Sequence, residues 1–338
     1  MPERVDILAE PSKPRLLVFV LLERFTLISF TGAVECLRLA NRLSGKPLFE
    51  WRLVGMTEAP VQSSARIAIP VDGALPDLPP DATVIVCGGI DVSREATPRL
   101  LNWLRRAARR GGAMGGLCTG SYVLARAGLL DGRKATIHWE HQDGFAEDFD
   151  EVQLTKAVFA VDGNRFTTAG GTSSIDLMLK LIADGFGEEL ANAVADQLIY
   201  NSIRTDRDTQ RLSTPARIGV RHPKLAEVIG MMERNIEEPI SPAALAKSVD
   251  MSARQLERLF RRYLSRSPKR YYMELRLQKA RNLLMQTEMS VINVALASGF
   301  ASPSHFSKCY RAQYGTTPYR ERGSQAEPPP AGHAAPRR

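Results

Sequence analysis

Two groups of residues in this 338-residue chain have types and spacings that could do chemistry. The first centres on Cys118, a lone cysteine in Met114-Gly-Gly-Leu-Cys-Thr-Gly-Ser-Tyr122, with glycines on both sides and an apolar helical pattern after it. A strand-to-helix turn of this kind displays a thiol, and the N–H groups of Thr119 and Gly120 at the helix start favour an anion. A cysteine hydrolase would also need a base to manage the proton. His138-Trp139-Glu140 supplies a His-x-Glu spacing twenty residues further on. Cys118 therefore has four readings: nucleophile of an amidase or peptidase, oxidation-sensitive thiol, structural cysteine, or wall of a ligand pocket. The pocket is the leading one. Its turn amides, with those after Gly88 and Gly89, suit a carboxylate. Trp139, Phe30 and Phe25 could offer π faces to a quaternary ammonium, with Glu140 or Glu35 as counter-charge and Thr31 beside them.

The second group lies in the last third of the chain. Ala244–Tyr271 is echoed by Asn293–Arg320, with Ser252, Leu256, Phe260 and Pro268 returning fifty positions later as Ser302, Phe306, Tyr310 and Pro318. Each copy reads helix, tight turn, helix. Ser241 and Ser252 can cap the helices of the first copy, and Gly299, Ser302 and Pro303 supply the turn, cap and first position in the second. Apolar residues then line one side of each second helix. Arg254, Glu257, Arg258, Arg261 and Arg262 project from the other side in the first copy, and Ser304, Ser307, Lys308 and Arg311 in the second. That is the geometry of a helix that reads a major groove, where Arg pairs with guanine and flanking cations neutralise phosphates. A long helix, about Lys269–Met285, would join the two readers.

Other chemistries have little support. Cys36, Cys87, Cys118 and Cys309 form no CxxC pair, so neither a metal site nor a disulfide framework is expected, and nothing calls for a cofactor. Gly170-Gly171-Thr172 is better taken as a turn into a capped helix than as a phosphate loop.

The elements that must position these groups follow from hydrophobic patterning. Arg15–Leu21, Trp51–Met56, Ala82–Gly89 and Gly112–Cys118 read as strands; Thr31–Leu43, Pro98–Gly111, Ser121–Gly128 and Ser173–Gly187 read as helices. The alternation predicts an α/β domain with a mostly parallel sheet covered on both faces, its ligand at the carboxyl ends of the strands. The expected organisation is an α/β domain at 14–202, a linker at 203–221, an all-α domain at 222–323 and a disordered tail at 324–338.

Charge divides the same way. Residues 215–323 hold 19 Lys and Arg against 9 Asp and Glu, a balance of +10, while residues 1–214 hold 24 against 27, a balance of −3. A basic module attached to a neutral one suits a polyanion partner. No apolar run approaches the roughly 18–20 residues needed to cross a bilayer. The acidic, proline-bearing start is unlike a signal peptide. A cytoplasmic protein without membrane contact is expected.

Ala244–Arg322, and above all GFASPSHFSKCYRAQYGTTPYRER, resembles the DNA-binding domain of AraC/XylS-type regulators. That resemblance implies Arg254, Glu257 and Arg258 as base-reading positions, matched by Ser304, Ser307 and Lys308 in the second unit. The front resembles the ThiJ/PfpI, class I glutamine amidotransferase-like fold, a flavodoxin-like architecture, through FTGAVECLRLANRLSG, CGGIDV, GGLCTGSYVLARAGLLDGRKATIHWEH and TTAGGTSSIDLML. Enzymes of that fold often place histidine after the cysteine, where this chain has Thr119. Many relatives bring a carboxylate from the first helix, at the place of Ser29, and their His-x-Glu pair comes later than His138. The combination resembles GlxA-type regulators, closest to the branch that senses glycine betaine, carnitine or arginine. It implies that 14–202 is a sensor and dimerisation domain of a homodimeric activator of amine or amino-acid catabolic genes, with double-stranded DNA, RNA polymerase and an amine- or amino-acid-like effector as partners. The competing reading is a cysteine-dependent amidase or peptidase with an appended DNA-binding domain.

Overall fold

The computed structural model describes residues 13–210 and 222–323. They fall into two compact units, divided between Arg211 and Leu212. The front unit begins β1 (Arg15–Leu21), α1 (Leu27–Ser44), β2 (Phe49–Gly55), β3 (Val61–Gln62), β4 (Ala68–Ile69), β5 (Gly73–Ala74) and β6 (Thr83–Cys87). It continues α2 (Val92–Glu95), α3 (Pro98–Arg109), β7 (Met114–Leu117), α4 (Gly120–Arg126), β8 (Lys134–Ala135), α5 (Gln142–Asp148) and β9 (Gln153–Leu154). It closes with β10 (Phe159–Asp162), β11 (Arg165–Thr168), α6 (Ser173–Phe186) and α7 (Glu188–Gln197).

Seven strands make one sheet in the order β10-β11-β7-β6-β1-β2-β5. The apolar run of β1 is buried on both faces, as a central parallel strand requires. Its side chains alternate between two cores. Leu17, Phe19 and Leu21 join one with residues of α1, α6 and α7, and Val18 and Val20 join the other with residues of α3 and α4. Within this sheet every pairing is parallel except β10 with β11, an antiparallel hairpin in which Asp162 faces Arg165. The loops after β1, β6, β7 and β11 therefore leave the same end of the sheet.

Two boundaries differ from the pattern. The first helix starts at Leu27, four residues before Thr31, because Thr26 opens it although its side chain makes no cap bond. Residues 203–210 are bound into the front unit rather than forming linker. The Arg204 N–H donates to Asp176 at 2.8 Å, Val158 N–H donates to the Asp208 carbonyl at 2.9 Å, and Gln210 reaches the Ile137 carbonyl at 2.9 Å. The rest of the expected linker, 211–221, and the tail 324–338 lie outside the described residues.

The back unit is helical: α8 (Pro223–Arg234), α9 (Pro242–Ser248), α10 (Ala253–Leu264), α11 (Pro268–Gln286), α12 (Val291–Ala297), α13 (Pro303–Tyr314) and α14 (Pro318–Gly323). It has two cores. Leu245, Leu256, Phe260 and Tyr272 belong to one, and Leu277, Val294, Phe306 and Tyr310 to the other, so α11 serves both. The serines at 241, 252, 267, 290 and 302 each accept a bond from the backbone N–H three residues on. The repeat is out by one residue at its turn. The first helices are 49 positions apart, Ser241 against Ser290, whereas the second helices are 50 apart, Ser252 against Ser302. Left-handed Asp250 and Gly299 occupy equivalent places, and Ala301 is the extra residue.

Candidate effector pocket and nucleic-acid interface

Cys118 sits in the β7–α4 turn with φ +58°, the left-handed conformation that turns a side chain away from its strand. The thiol is buried, and among the described residues its hydrogen-bond partners are the Thr26 hydroxyl, donating to Sγ at 3.3 Å, and the Thr119 N–H. Burial pushes its pKa up. Those two bonds oppose the shift, and the Glu140 carboxylate adds to it. Near neutral pH the sulfur is therefore a thiol and not a thiolate.

The sheet loops frame this group closely. Thr26 N–H donates to the Gly88 carbonyl at 3.0 Å, and the Thr119 hydroxyl donates to the Gly89 carbonyl at 2.7 Å. Gly170 closes the other side with φ +85°, and a Cβ there would stand 2.6 Å from the Cys118 Cβ and 2.8 Å from its Sγ. No larger residue fits. Ser29 is buried and donates to the Gly171 carbonyl at 3.4 Å, so it braces the same turn.

The histidine segment stands nearby. Burial lowers the pKa of His138, and its Nδ1 accepts from the Glu140 N–H at 3.4 Å, with the Glu140 carboxylate at 3.7 Å. The half-buried Trp139 ring lies 5.7 Å from the His138 ring, and the His141 ring 6.4 Å from it.

Of the ten residues expected in the pocket, the fold gathers Gly88, Gly89, Cys118, Thr119 and Gly120 into one frame. Of the His138–Glu140 segment, the Glu140 carboxylate acts on the thiol through its charge. Phe30 goes elsewhere: it is buried in an edge-to-face stack with Phe19 at 5.7 Å and Phe25 at 5.6 Å, so both candidate π faces from this region are core. Thr31 is exposed and donates to the Leu27 carbonyl of its own helix. Glu35 is half-buried and paired with Arg38. Thr26 went unnoticed in the sequence, and Gly170 was read only as part of a turn, because their contacts with Cys118 come from distant loops. At the same end of the sheet Arg24 and Asp91 form an ion pair, both with left-handed backbones.

In the back unit the outward positions behave as the repeat implies. Arg254, Arg258, Arg261, Arg262, Ser304, Lys308 and Arg311 are exposed, Glu257 and Ser307 half-buried, while Leu256, Phe260, Phe306 and Tyr310 are buried beneath them. Glu257 holds Arg261 at 3.0 Å, and the Arg262 guanidinium lies over the Tyr263 ring. An open recess of about 560 Å³ is lined by Arg261, Arg266 and Arg270 with Glu274 and Gln313. The Arg270 guanidinium donates to Gln313 Oε1 at 3.0 Å, tying the start of α11 to the end of α13. Among the described residues no group of three or more His, Cys, Asp or Glu could hold a metal ion, and no helix is long and apolar enough to cross a membrane.

Comparison with known proteins bears on both halves. Residues 15–184 match the model of the DJ-1/PfpI family, and residues 245–324 match that of a helix-turn-helix domain. The chain is 46% identical to the HTH-type transcriptional regulator GbdR of Pseudomonas aeruginosa, over 92% of this chain and 85% of that one. It is also 46% identical to the HTH-type transcriptional regulator CdhR of the same organism, over 94% of this chain and 97% of that one. An isonitrile hydratase of Pseudomonas putida is 30% identical over 54% of this chain and 77% of its own.

Proposed function

The chain belongs to the AraC-type transcriptional regulators that carry a DJ-1/PfpI domain, and from that premise we propose that it is switched by a small amine- or amino-acid-like effector held at the Cys118 turn. DNA reading belongs to α10 and α13. Each presents a basic, solvent-facing side over a buried apolar stripe, and α11 spans the two cores. Successive major-groove faces lie roughly 34 Å apart, which two readers on one connecting helix can address.

The observation that carries the effector reading is the state of Cys118. It is closed on one side by Gly170, bonded by Thr26 and kept neutral by burial. That is poor preparation for nucleophilic attack, which needs a thiolate and a base within reach. His138 Nδ1 faces the Glu140 backbone, and Ser29 stands where a carboxylate would help and bonds a carbonyl instead. These features favour perception over turnover. The isonitrile hydratase relative keeps the enzyme reading as the competitor.

Effector binding shifts the population of a homodimer competent to engage promoter DNA and RNA polymerase, so that genes of amine or amino-acid catabolism are activated. The ligand can move that equilibrium only by its differential affinity for the two states.

A binding assay on duplexes from the protein's own genome, with and without a panel of amines and amino acids, tests the reading. Arg258→Ala should weaken specific binding by roughly 1–3 kcal/mol and relax the choice of base at one position. Unaltered operator affinity in that variant, or amide hydrolysis lost with Cys118→Ala, would overturn the assignment.

A further inference from the structure

Residues 203–210 carry hydrogen bonds that neither groove reading nor effector binding requires. Asp176, on α6, is fully buried, and three of the five hydrogen bonds to its carboxylate among the described residues come from this segment. Arg204 donates to it three times, from its backbone N–H at 2.8 Å, from Nε at 2.9 Å and from Nη2 at 2.7 Å. The Tyr200 hydroxyl donates to both carboxylate oxygens at 3.0 and 3.1 Å, and Arg204 Nη2 donates to that hydroxyl at 2.9 Å.

The same Nη2 also donates to the Thr172 hydroxyl at 2.7 Å. Thr172 ends the turn whose Gly170 touches Cys118, and it opens α6 with a hydroxyl that makes no cap bond. Six residues after Arg204 the segment makes a second attachment. Gln210 Nε2 donates to the Thr136 hydroxyl at 2.8 Å and to the Ile137 carbonyl at 2.9 Å, immediately before His138. Between them Thr205 and Asp208 close a local turn, the Thr205 N–H donating to the Asp208 carboxylate at 2.7 Å. One short strap is thus pinned both to the turn that closes on the thiol and beside the segment whose Glu140 carboxylate acts on it, and it is the stretch through which the chain leaves the front unit.

We propose that this strap is the output of the pocket: Arg204 couples the Gly170–Thr172 turn against Cys118 to the segment that continues toward the DNA-binding unit. The inference rests on the effector reading above and names the residue that transmits it. Arg204 is a positioning residue. A ligand that displaces the Gly170–Thr172 turn or the His138 segment must stretch the Thr172–Arg204 or the Ile137–Gln210 bond. The converse holds by linkage: freeing the strap must loosen the surroundings of the thiol.

That converse can be measured without DNA or effector. In the full-length chain, alkylation of Cys118 by iodoacetamide, followed by mass spectrometry of its peptide, reports opening of the pocket. Hydrogen exchange reports protection of amides 203–210. The paired substitution Asp176→Asn with Arg204→Ala removes both charges, so no buried carboxylate is orphaned. Arg204→Lys keeps the charge beside Asp176 but lacks the fork that spans Asp176, Tyr200 and Thr172.

In the paired variant Cys118 should alkylate about tenfold faster, and amides 203–210 should exchange faster, while Cys36 and Cys87 keep their wild-type rates. Arg204→Lys should fall between the two. A Cys118 rate within about twofold of wild type, or an equal rise at all three thiols, would overturn the coupling. Because this readout involves no promoter, a chain that passes it yet ignores every duplex would sink the regulatory reading and leave the strap standing.

Discussion

His141 sits three residues beyond His138, and burial, reinforced by that neighbouring imidazole, brings its pKa down to about 4 despite the nearby Asp91. In the unfolded chain the group titrates near 6.5. The unfolded state therefore takes up the proton first. The stability contributed by keeping His141 neutral is complete above about pH 6.5 and is lost progressively as pH falls toward 4. Urea midpoints at several pH values across that window should drop in the wild type and drop less steeply in His141→Gln. Identical slopes would mean that the imidazole is not held neutral. The chemistry of the Cys118 turn was legible at this scale because two glycines, a cysteine and a helical pattern are adjacent in the chain. Its strongest side-chain partner was not. Thr26 lies 92 positions away, and only the parallel order of β1, β6 and β7 brings its hydroxyl to the sulfur. The aromatic expectation failed for Phe30 for a related reason: a phenylalanine on an amphipathic helix suits a pocket and a core equally well until the packing is known.

Element by element, the helical unit was easier to foresee than the sheet. Serine caps and first-position prolines are local signals, and the described caps at Ser241, Ser252 and Ser302 follow them. The antiparallel β10–β11 hairpin was hidden because four-residue strands carry too little periodicity to reveal their direction. Gly299 shows how far a local signal can be taken. Its φ is +76°, and a Cβ there would meet the Ile236 carbonyl oxygen at 2.3 Å. Gly299→Ala should therefore cost roughly 1–3 kcal/mol, combining backbone strain with the clash. Because α12 and α13 share one core, footprinting should show the half-site read by α13 weakening first. A melting temperature and footprint equal to wild type would show that the turn tolerates a side chain.

For the molecule as a whole, the charge asymmetry foretold a polyanion-binding part and a neutral part, and the two compact units divide at Arg211–Leu212. The division falls nine residues later than the expected domain end at 202. A polar stretch such as Ile203–Gln210 has no hydrophobic period, so nothing local distinguishes a bound strap from a free tether. The difference matters to anyone who would separate the halves. Cutting after Ser202 discards Arg204 and leaves the Asp176 carboxylate in the interior with only the Tyr200 hydroxyl, a loss on the order of 3–5 kcal/mol for an orphaned ion. A fragment ending at Arg211 should be produced in soluble form and melt cooperatively, whereas one ending at Ser202 should precipitate or melt far lower. Equal melting temperatures would show that the carboxylate does not depend on its guanidinium. What resembles spare cord between two machines is, for the first of them, a structural rivet.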